Sequence, residues 1–267
     1  TVEKAADTVW TLAEALPEEG VLALTWDFSE LRARVERCDG LCLRFGQTAE
    51  ADFFPREIVD DDPQGIRFVA ETPAGAVPVK LRLLGAHRAV LACGALALAW
   101  GLGVPNKVAA QAMAEVPPLP HRLELKPAPF GWILDDAFNA NPVSVQAALR
   151  TLSRLRLPGK LRAALLGDML ELGPEEGLFH QAVVEAARRF GVDMLFAFGP
   201  RMSAAFSGFG GPGAAEPEDL TKLLSEIREA LGSGPAILLV KGSRGLLLER
   251  AVEALGKNPE DQGSQEA

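Results

Sequence analysis

An α/β fold in two parts is what this 267-residue sequence predicts. Apolar runs that read as strands fall at 131–135, 162–166, 193–198 and 236–240. Helical stretches fall at 143–156, 175–190, 217–231 and 244–255, between and after them. Such alternation argues for a parallel sheet with helices on both faces. A second observation is Val116-Pro117-Pro118-Leu119-Pro120. Proline fixes φ and blocks helix continuation, so the stretch reads as a semi-rigid spacer. It places a boundary between a domain over 1–119 and one over 120–267.

The first part reads element by element. Over 1–16, Val2, Ala5, Ala6, Val9, Leu12 and Leu16 lie near helical spacing, and Pro17 and Gly20 end the helix. Residues 21–24 form a short strand, and Ser29 caps a charged helix to Arg37. Runs over 41–45, 52–59, 66–71 and 76–84 are each bounded by Gly, Pro or Asp and read as strands of a meander. Helices over 85–103 and 105–115 close this part. In the second part, 207–216 is glycine-rich and reads as a loop, and the polar run from Lys257 reads as a frayed tail.

Net charge is −9. An acidic chain repels phosphate backbones, which argues against nucleic acid as a partner. A small phosphorylated ligand stays compatible, because local Arg and Lys can meet it. Cys38, Cys42 and Cys93 lack the second pair or nearby His of a zinc set and fit a reducing compartment. No apolar run reaches the roughly 20 residues of a membrane span; the nearest, over 85–103, carries His87 and Arg88. The reading is a cytoplasmic monomer. The chain starts at Thr1, inside an amphipathic pattern, and so reads as a fragment.

Chemistry concentrates at the carboxyl ends of three predicted strands, the edge where open α/β sheets bind ligands. The first strand leads into Asp135-Asp136-Ala137-Phe138-Asn139-Ala140-Asn141-Pro142. Two carboxylates there can hold a magnesium ion, a ribose or an arginine. Asp136, Asn139 and Asn141 can equally turn the chain or cap the next helix. The second strand leads into Gly167-Asp168-Met169-Leu170-Glu171-Leu172-Gly173, which sets acids among apolar residues, or else is a tight packing loop. The third leads into Lys241-Gly242-Ser243-Arg244-Gly245, which is basic and precedes a helix. It suits an anion or is a solvated turn, and it lacks Walker A spacing. Asp136, Asp168 and Lys241 are expected to line one crevice. Arg122 follows the proline stretch, where it can reach a nucleotide phosphate or form an interdomain salt bridge. His87 opens a helix, and His180 lies inside one, where packing or surface exposure is expected. No G-x-S-x-G elbow, no G-x-G-x-x-G after a strand and no histidine metal spacing occur.

Taken in order, Arg122-Leu123-Glu124, Asp135 to Pro142, Leu166 to Gly173 and Val240 to Arg244 resemble the motifs of the Mur ligase family, in the branch that adds D-alanyl-D-alanine. Phe138 stands where that branch has Tyr. The resemblance covers 120–256 and is weaker but collinear over 1–119. It implies part of a central ATPase domain followed by a Rossmann-like, mostly parallel carboxyl-terminal domain. It also implies a reaction in peptidoglycan precursor synthesis: ATP activates UDP-N-acetylmuramoyl-tripeptide as an acyl phosphate, and D-alanyl-D-alanine attacks it. Arg122, Asp136 and Lys241 are the implied catalytic set, and Arg122, Asp136 and His87 the implied nucleotide contacts. Asn139, Asn141, Asp168, Glu171, Ser243 and Arg244 are implied for the dipeptide and the reacting carboxylate.

ATP and Mg2+ are the implied cofactors, with most of their ligands outside this chain. The family's P-loop, amino-terminal domain and central magnesium ligands have no counterpart here. Val9 and Leu91 stand where the family carries a lysine and an adenine-reading asparagine. By itself the chain is expected to be inactive. The alternative is a non-catalytic relative that kept the dipeptide-binding domain and lost ATP chemistry.

Overall fold

The computed structural model describes residues 2–38, 40–157, 161–232 and 234–257. It divides into two compact units, Thr1–Pro117 and Pro118–Ala267.

In the first unit, α1 (Val2–Glu14) precedes β1 (Val21–Thr25), which pairs in parallel with β2 (Leu41–Phe45). Residues 41–45 therefore do not join the meander expected for them. Between the two strands, α2 (Ser29–Arg32) and a 3-10 turn (Val35–Arg37) carry the chain back so that both run the same way. The helix expected to reach Arg37 stops at Arg32. The meander itself is β3 (Phe54–Val59), β4 (Ile66–Glu71) and β5 (Val77–Leu81), all antiparallel. Against these strands lies α3 (His87–Gly101), with Ala89, Ala92, Cys93, Gly94 and Ala97 buried. Small residues on that face let the helix approach Phe53, Phe68 and Leu81 closely. The second helix, α4 (Asn106–Met113), packs on β5.

One ion pair gives this unit a pH signature. Asp52 Oδ2 accepts from Arg44 Nε at 2.9 Å and from the Arg44 backbone N–H at 3.0 Å, and Oδ1 accepts from Nη2 at 2.5 Å. The guanidinium bond holds the Asp52 carboxyl below its ordinary 3.8. A depressed carboxyl contributes stability above its unfolded value and loses it as pH falls through the folded one. Both side chains are part-exposed, which limits the contribution to about 1 kcal/mol. Asp52→Asn should therefore lower Tm by a few degrees near neutrality, and the gap should close as pH drops below about 4. Thermal melts of the two proteins across that range check it; a constant gap would remove the ionic explanation.

The second unit is a six-stranded sheet in the order β10-β9-β8-β11-β7-β6. These are β6 (Glu124–Ala128), β7 (Gly131–Asp135), β8 (Leu161–Gly167), β9 (Met194–Phe198), β10 (Gly213–Glu216) and β11 (Ala236–Lys241). All neighbours are parallel except β6, which pairs antiparallel with β7 at the edge. That edge position is the one a strand containing Pro127 can take. Central β11 is buried along all six residues, as expected for an apolar strand covered on both faces.

Leu223, Ile227 and Leu231 of α8 (Leu220–Leu231) cover one face of the sheet, joined by Ala251, Val252 and Leu255 of α9 (Glu249–Gly256). A second helical layer is made of α5 (Pro142–Arg154), α6 (Glu176–Arg189) and α7 (Pro200–Phe206), with α5 on β8 and β11 and α7 on β9. Strand β10 lies inside the stretch read as a loop. The helix expected over 244–255 is a 3-10 turn (Arg244–Leu246) and then α9, because Leu247 takes φ of +51° and breaks the run. The polar tail beyond Lys257 lies outside the described residues.

Strands β8 and β11 leave the sheet through two glycines that touch. A Cβ on Gly242 would lie 3.2 Å from the Gly167 Cα and 2.6 Å from Leu248 Cδ1. Gly242→Ala should cost about 1–3 kcal/mol through this overpacking, read as a lower denaturation midpoint. An unchanged midpoint would mean that the two turns can part at no cost.

Candidate active site

Because β8, β11 and β7 are adjacent and parallel, their carboxyl ends at Gly167, Lys241 and Asp135 emerge together. The centre of this edge is Lys241. Its ammonium donates to Asp136 Oδ2 at 2.6 Å and to the Asn139 carbonyl at 2.8 Å. The pair is nearly dry, with side-chain exposures of 3% for Lys241 and 13% for Asp136. On its other side, Asp136 Oδ1 accepts from the Leu123 N–H at 3.1 Å. Leu123 takes φ of +56°, so the segment after Arg122 is bent to make this contact.

Successive residues on a strand face opposite ways, and the two aspartates have separate partners. Asp135 is fully buried. Its Oδ2 meets Lys126 Nζ at 2.7 Å and His121 Nδ1 at 2.8 Å, and its Oδ1 accepts from the Ala137 N–H at 3.2 Å. Burial opposes the charge on Lys126, but the bonds to Asp135 and Glu124 outweigh it and raise the ammonium above its ordinary value. Asp135 thus ties β6 and the 121–123 segment to β7.

The loop after β8 is held from three sides. The Asp168 carbonyl accepts from the Ser243 N–H at 3.0 Å, and Ser243 Oγ accepts from the Leu170 N–H at 2.8 Å. Buried Ser243 therefore staples the second motif to the third. His180, also buried, accepts the Met169 N–H at Nε2 (2.9 Å) and meets the Glu176 carbonyl at Nδ1 (2.6 Å). Since a carbonyl can only accept and an N–H only donate, the imidazole carries its proton on Nδ1. Packing is the role found for His180.

The Asp168 side chain turns toward the start of α7. Its carboxylate, 1% exposed, accepts from the Met202 N–H at 2.8 Å and faces Arg201 Nη1 at 3.3 Å. It packs on Gly199, whose φ of +97° opens α7. Arg201 also donates to Glu176 Oε2 at 2.7 Å; the bonds to Glu176 and then Asp168 raise its guanidinium above its ordinary value. The Asp168 main chain thus meets the third motif, while its side chain meets the turn between β9 and α7. Asn141 is exposed, and its side chain is engaged in a capping box with Ser144 at the start of α5. Asn139 is exposed, with its side chain accepting from the Ala140 N–H at 2.9 Å. Glu171 is exposed at φ of +63°.

Arg122 and Arg244 are brought together by a residue that sequence reasoning passed over. The Arg122 guanidinium lies 3.9 Å from the centre of the Phe138 ring, and that of Arg244 lies 5.8 Å from it. Arg244 also pairs with Glu249 at 2.7 Å. Phe138 was legible as the exposed apolar member of a polar motif. Arg201, Glu176 and Lys126 carried no local signal, since each gains meaning only from a partner distant in sequence. His87 is exposed at the start of α3, in the first unit. Among the described residues, no three His, Cys, Asp or Glu side chains could share a metal ion. No described helix is long and apolar enough to cross a membrane.

A family model described as "Mur ligase, glutamate ligase domain" matches residues 121–244. The UDP-N-acetylmuramoyl-tripeptide--D-alanyl-D-alanine ligase of Escherichia coli K12 is 32% identical over 91% of this chain and 53% of its own length. The chain belongs to the Mur ligase family. The Mur ligase match runs over every second-unit candidate from Arg122 to Arg244. The Bacillus subtilis ligase of the same description is 31% identical over 66% of the chain and 39% of its own length. Among solved structures, MurF from Acinetobacter baumannii superposes with a TM-score of 0.81 at 25% identity, over 92% of this chain and 54% of that one. MurF from Thermotoga maritima in complex with ADP shares the fold, with a TM-score of 0.82 at 21% identity, over 98% of this chain and 59% of its own. This Mur ligase chain thus spans about half the length of the relatives it matches.

Proposed function

We propose that this chain is the carboxyl-terminal part of an ATP-dependent amide-bond ligase. It would add D-alanyl-D-alanine to UDP-N-acetylmuramoyl-tripeptide during peptidoglycan precursor synthesis in the cytoplasm, as a monomer. Residues 1–119 would then belong to the ATPase domain and 120–267 to the Rossmann-like ligase domain. The observation that carries the reading is the Lys241–Asp136 pair, with Arg122 and Arg244 around Phe138, at the common edge of three parallel strands in a chain related to such ligases.

In the reaction, the tripeptide carboxylate attacks the γ-phosphorus of ATP and ADP leaves. The dipeptide amine then attacks the acyl carbon, phosphate leaves, and the amine loses a proton. Cations around the transferred phosphoryl group are the main requirement, and Arg122 and Arg244 supply two. Asp136, held by Lys241 and the Leu123 N–H, is the candidate contact for the ribose. Lys241 holds Asp136 and the Asn139 carbonyl in place, and its charge faces the same edge. Ser243, Asn139 and Glu171 remain candidates for the dipeptide.

The residues described do not fit a magnesium site: no acid cluster exists, and Asp136 is already committed to Lys241. The cation's ligands, and the P-loop, would lie in the part of the family's length that this chain does not span. The 267 residues alone should therefore turn over nothing. A full-length protein containing them should release phosphate only when ATP, UDP-N-acetylmuramoyl-tripeptide and D-alanyl-D-alanine are all present. Release that ignores the dipeptide would reject the assignment. Val9 and Leu91 favour a second reading, a relative that binds the dipeptide without ATP chemistry. In that case the full-length protein would bind D-alanyl-D-alanine and release no phosphate.

A further inference from the structure

We propose that Cys38 and Cys42 form a dithiol site that hydrogen peroxide oxidises to a disulfide, with Cys38 attacking the peroxide and Cys42 closing the bridge. The site lies in the first unit and does not depend on the ligase reading. Strand alternation builds it. Along β1 and β2, Val21, Ala23, Leu43 and Phe45 pack with the buried face of α3, while Leu22, Leu24 and Cys42 pack on the other side with α1. Cys38 follows the 3-10 turn that precedes β2 and packs on the α1 side as well. Both thiols therefore lie against one small cluster, made by Trp10 and Ala13 of α1 and Leu24 of β1. The Cys42 thiol is hydrogen-bonded to that of Cys38, and the Cys38 S–H donates to the Gly40 carbonyl at 3.7 Å.

The three cysteines differ in what can reach them and in how they hold their protons. Cys93 is fully buried in α3, and burial pushes its thiol up to about 12. Cys38 and Cys42 are half-buried, which leaves a path for a small oxidant. Burial pushes the Cys42 thiol up to about 11, helped by the charge of a Cys38 thiolate and by the bond between them. Only a thiolate is a competent nucleophile, so Cys42 stays the hydrogen-bond donor and the attack falls to Cys38. The Cys38 thiolate sulfur attacks one peroxide oxygen, and the O–O bond breaks. The leaving hydroxide takes up a proton and departs as water, and Cys38 becomes a sulfenic acid. That step removes the Cys38 charge, and with it one cause that keeps the proton on Cys42. The Cys42 sulfur then gives up its proton and attacks the Cys38 sulfur; the S–O bond breaks and a second water leaves. Cys42 is fixed by its place opposite Leu22 in the strand pair, so Cys38 is the partner that moves, giving up its bond to Gly40.

The test treats the 267-residue chain with hydrogen peroxide and reads it by peptide mass mapping. Trypsin cuts after Arg37 and Arg44, so the fragment 38–44 carries both thiols while Cys93 lies on another. That fragment should become lighter by two hydrogens and regain them with dithiothreitol. The change should run about tenfold faster than any oxidation of Cys93, the more deeply buried thiol. In urea this selectivity should vanish, because the fold creates it. In Cys42→Ser the reaction should stop at a Cys38 sulfenic acid, which dimedone captures. In Cys38→Ser, Cys42 should resist the peroxide concentration that oxidises the wild type. The wild-type fragment and its urea control decide the site without any variant, and the two serine variants decide the order of attack. A fragment 38–44 that keeps its mass or gains oxygen instead, selectivity that persists in urea, or dimedone capture at Cys42 in Cys38→Ser at the wild-type rate would each overturn the proposal.

Discussion

Lys241→Ala should abolish ligation by the full-length protein and lower the stability of the second unit by about 3–5 kcal/mol, the range for breaking a buried ion pair. The size follows from burial. Lys241 is 3% exposed and Asp136 13%. Removing the ammonium takes from the Asp136 carboxylate its charged partner at 2.6 Å, and it takes from the Asn139 carbonyl the donor at 2.8 Å. A stability loss that large would by itself depress activity, so a second protein separates the two effects. Lys241→Met combined with Asp136→Asn leaves no charge unpaired and should recover most of the lost stability, since a buried pair can often be replaced by neutral groups at little net cost. Ligation should remain absent, because neither the cation nor the carboxylate is present. Urea denaturation and phosphate release on the three proteins decide the matter. Wild-type stability in Lys241→Ala would show that the pair contributes nothing to the fold. A double variant that ligates normally would remove both residues from the reaction.

What could be read from the sequence divides along a physical line. Strands with continuous apolar runs, such as Ile237 to Val240, announce themselves because both faces are buried. The parallel sheet and the shared edge followed from them, and the three motifs do emerge side by side. Strand β6 was invisible for the same reason: Lys126 and Pro127 sit at an edge and carry no apolar alternation. Pairing of β1 with β2 was also out of reach, because it depends on how the chain returns through α2 and not on either strand's composition. At the site, residue types marked the right loops but not the direction of each side chain. Asp135 and Asp136 are neighbours with equal claims in the sequence; strand alternation gives one to Lys126 and His121 and the other to Lys241. Asn141 fits either a cap or a ligand contact, and the structure shows the cap.

Asp168 makes the sharpest case, because its two possible roles predict opposite results from the same pair of variants. As a substrate contact, it should tolerate Asp168→Asn in stability and fail in kcat/KM, since the charge would be what the ligand reads. The geometry favours the other outcome. Oδ1 accepts the Met202 N–H at the start of α7, and an amide oxygen can do the same. Oδ2 attracts Arg201, but that guanidinium is 38% exposed and keeps Glu176, so losing one carboxylate should cost less than about 1 kcal/mol. Asp168→Asn should therefore stay close to wild type in both stability and kcat/KM. In Asp168→Ala no acceptor remains for a buried N–H, and a gap opens against Gly199. The expected loss is about 2–3 kcal/mol, a Tm drop of several degrees. Ligation below the new Tm should fall only with the folded fraction, because the Asp168 carbonyl still accepts the Ser243 N–H and the loop keeps its staple to the third motif. A hundredfold fall in kcat/KM for Asp168→Asn at unchanged Tm would return Asp168 to the substrate and require its carboxylate to leave α7 during the reaction.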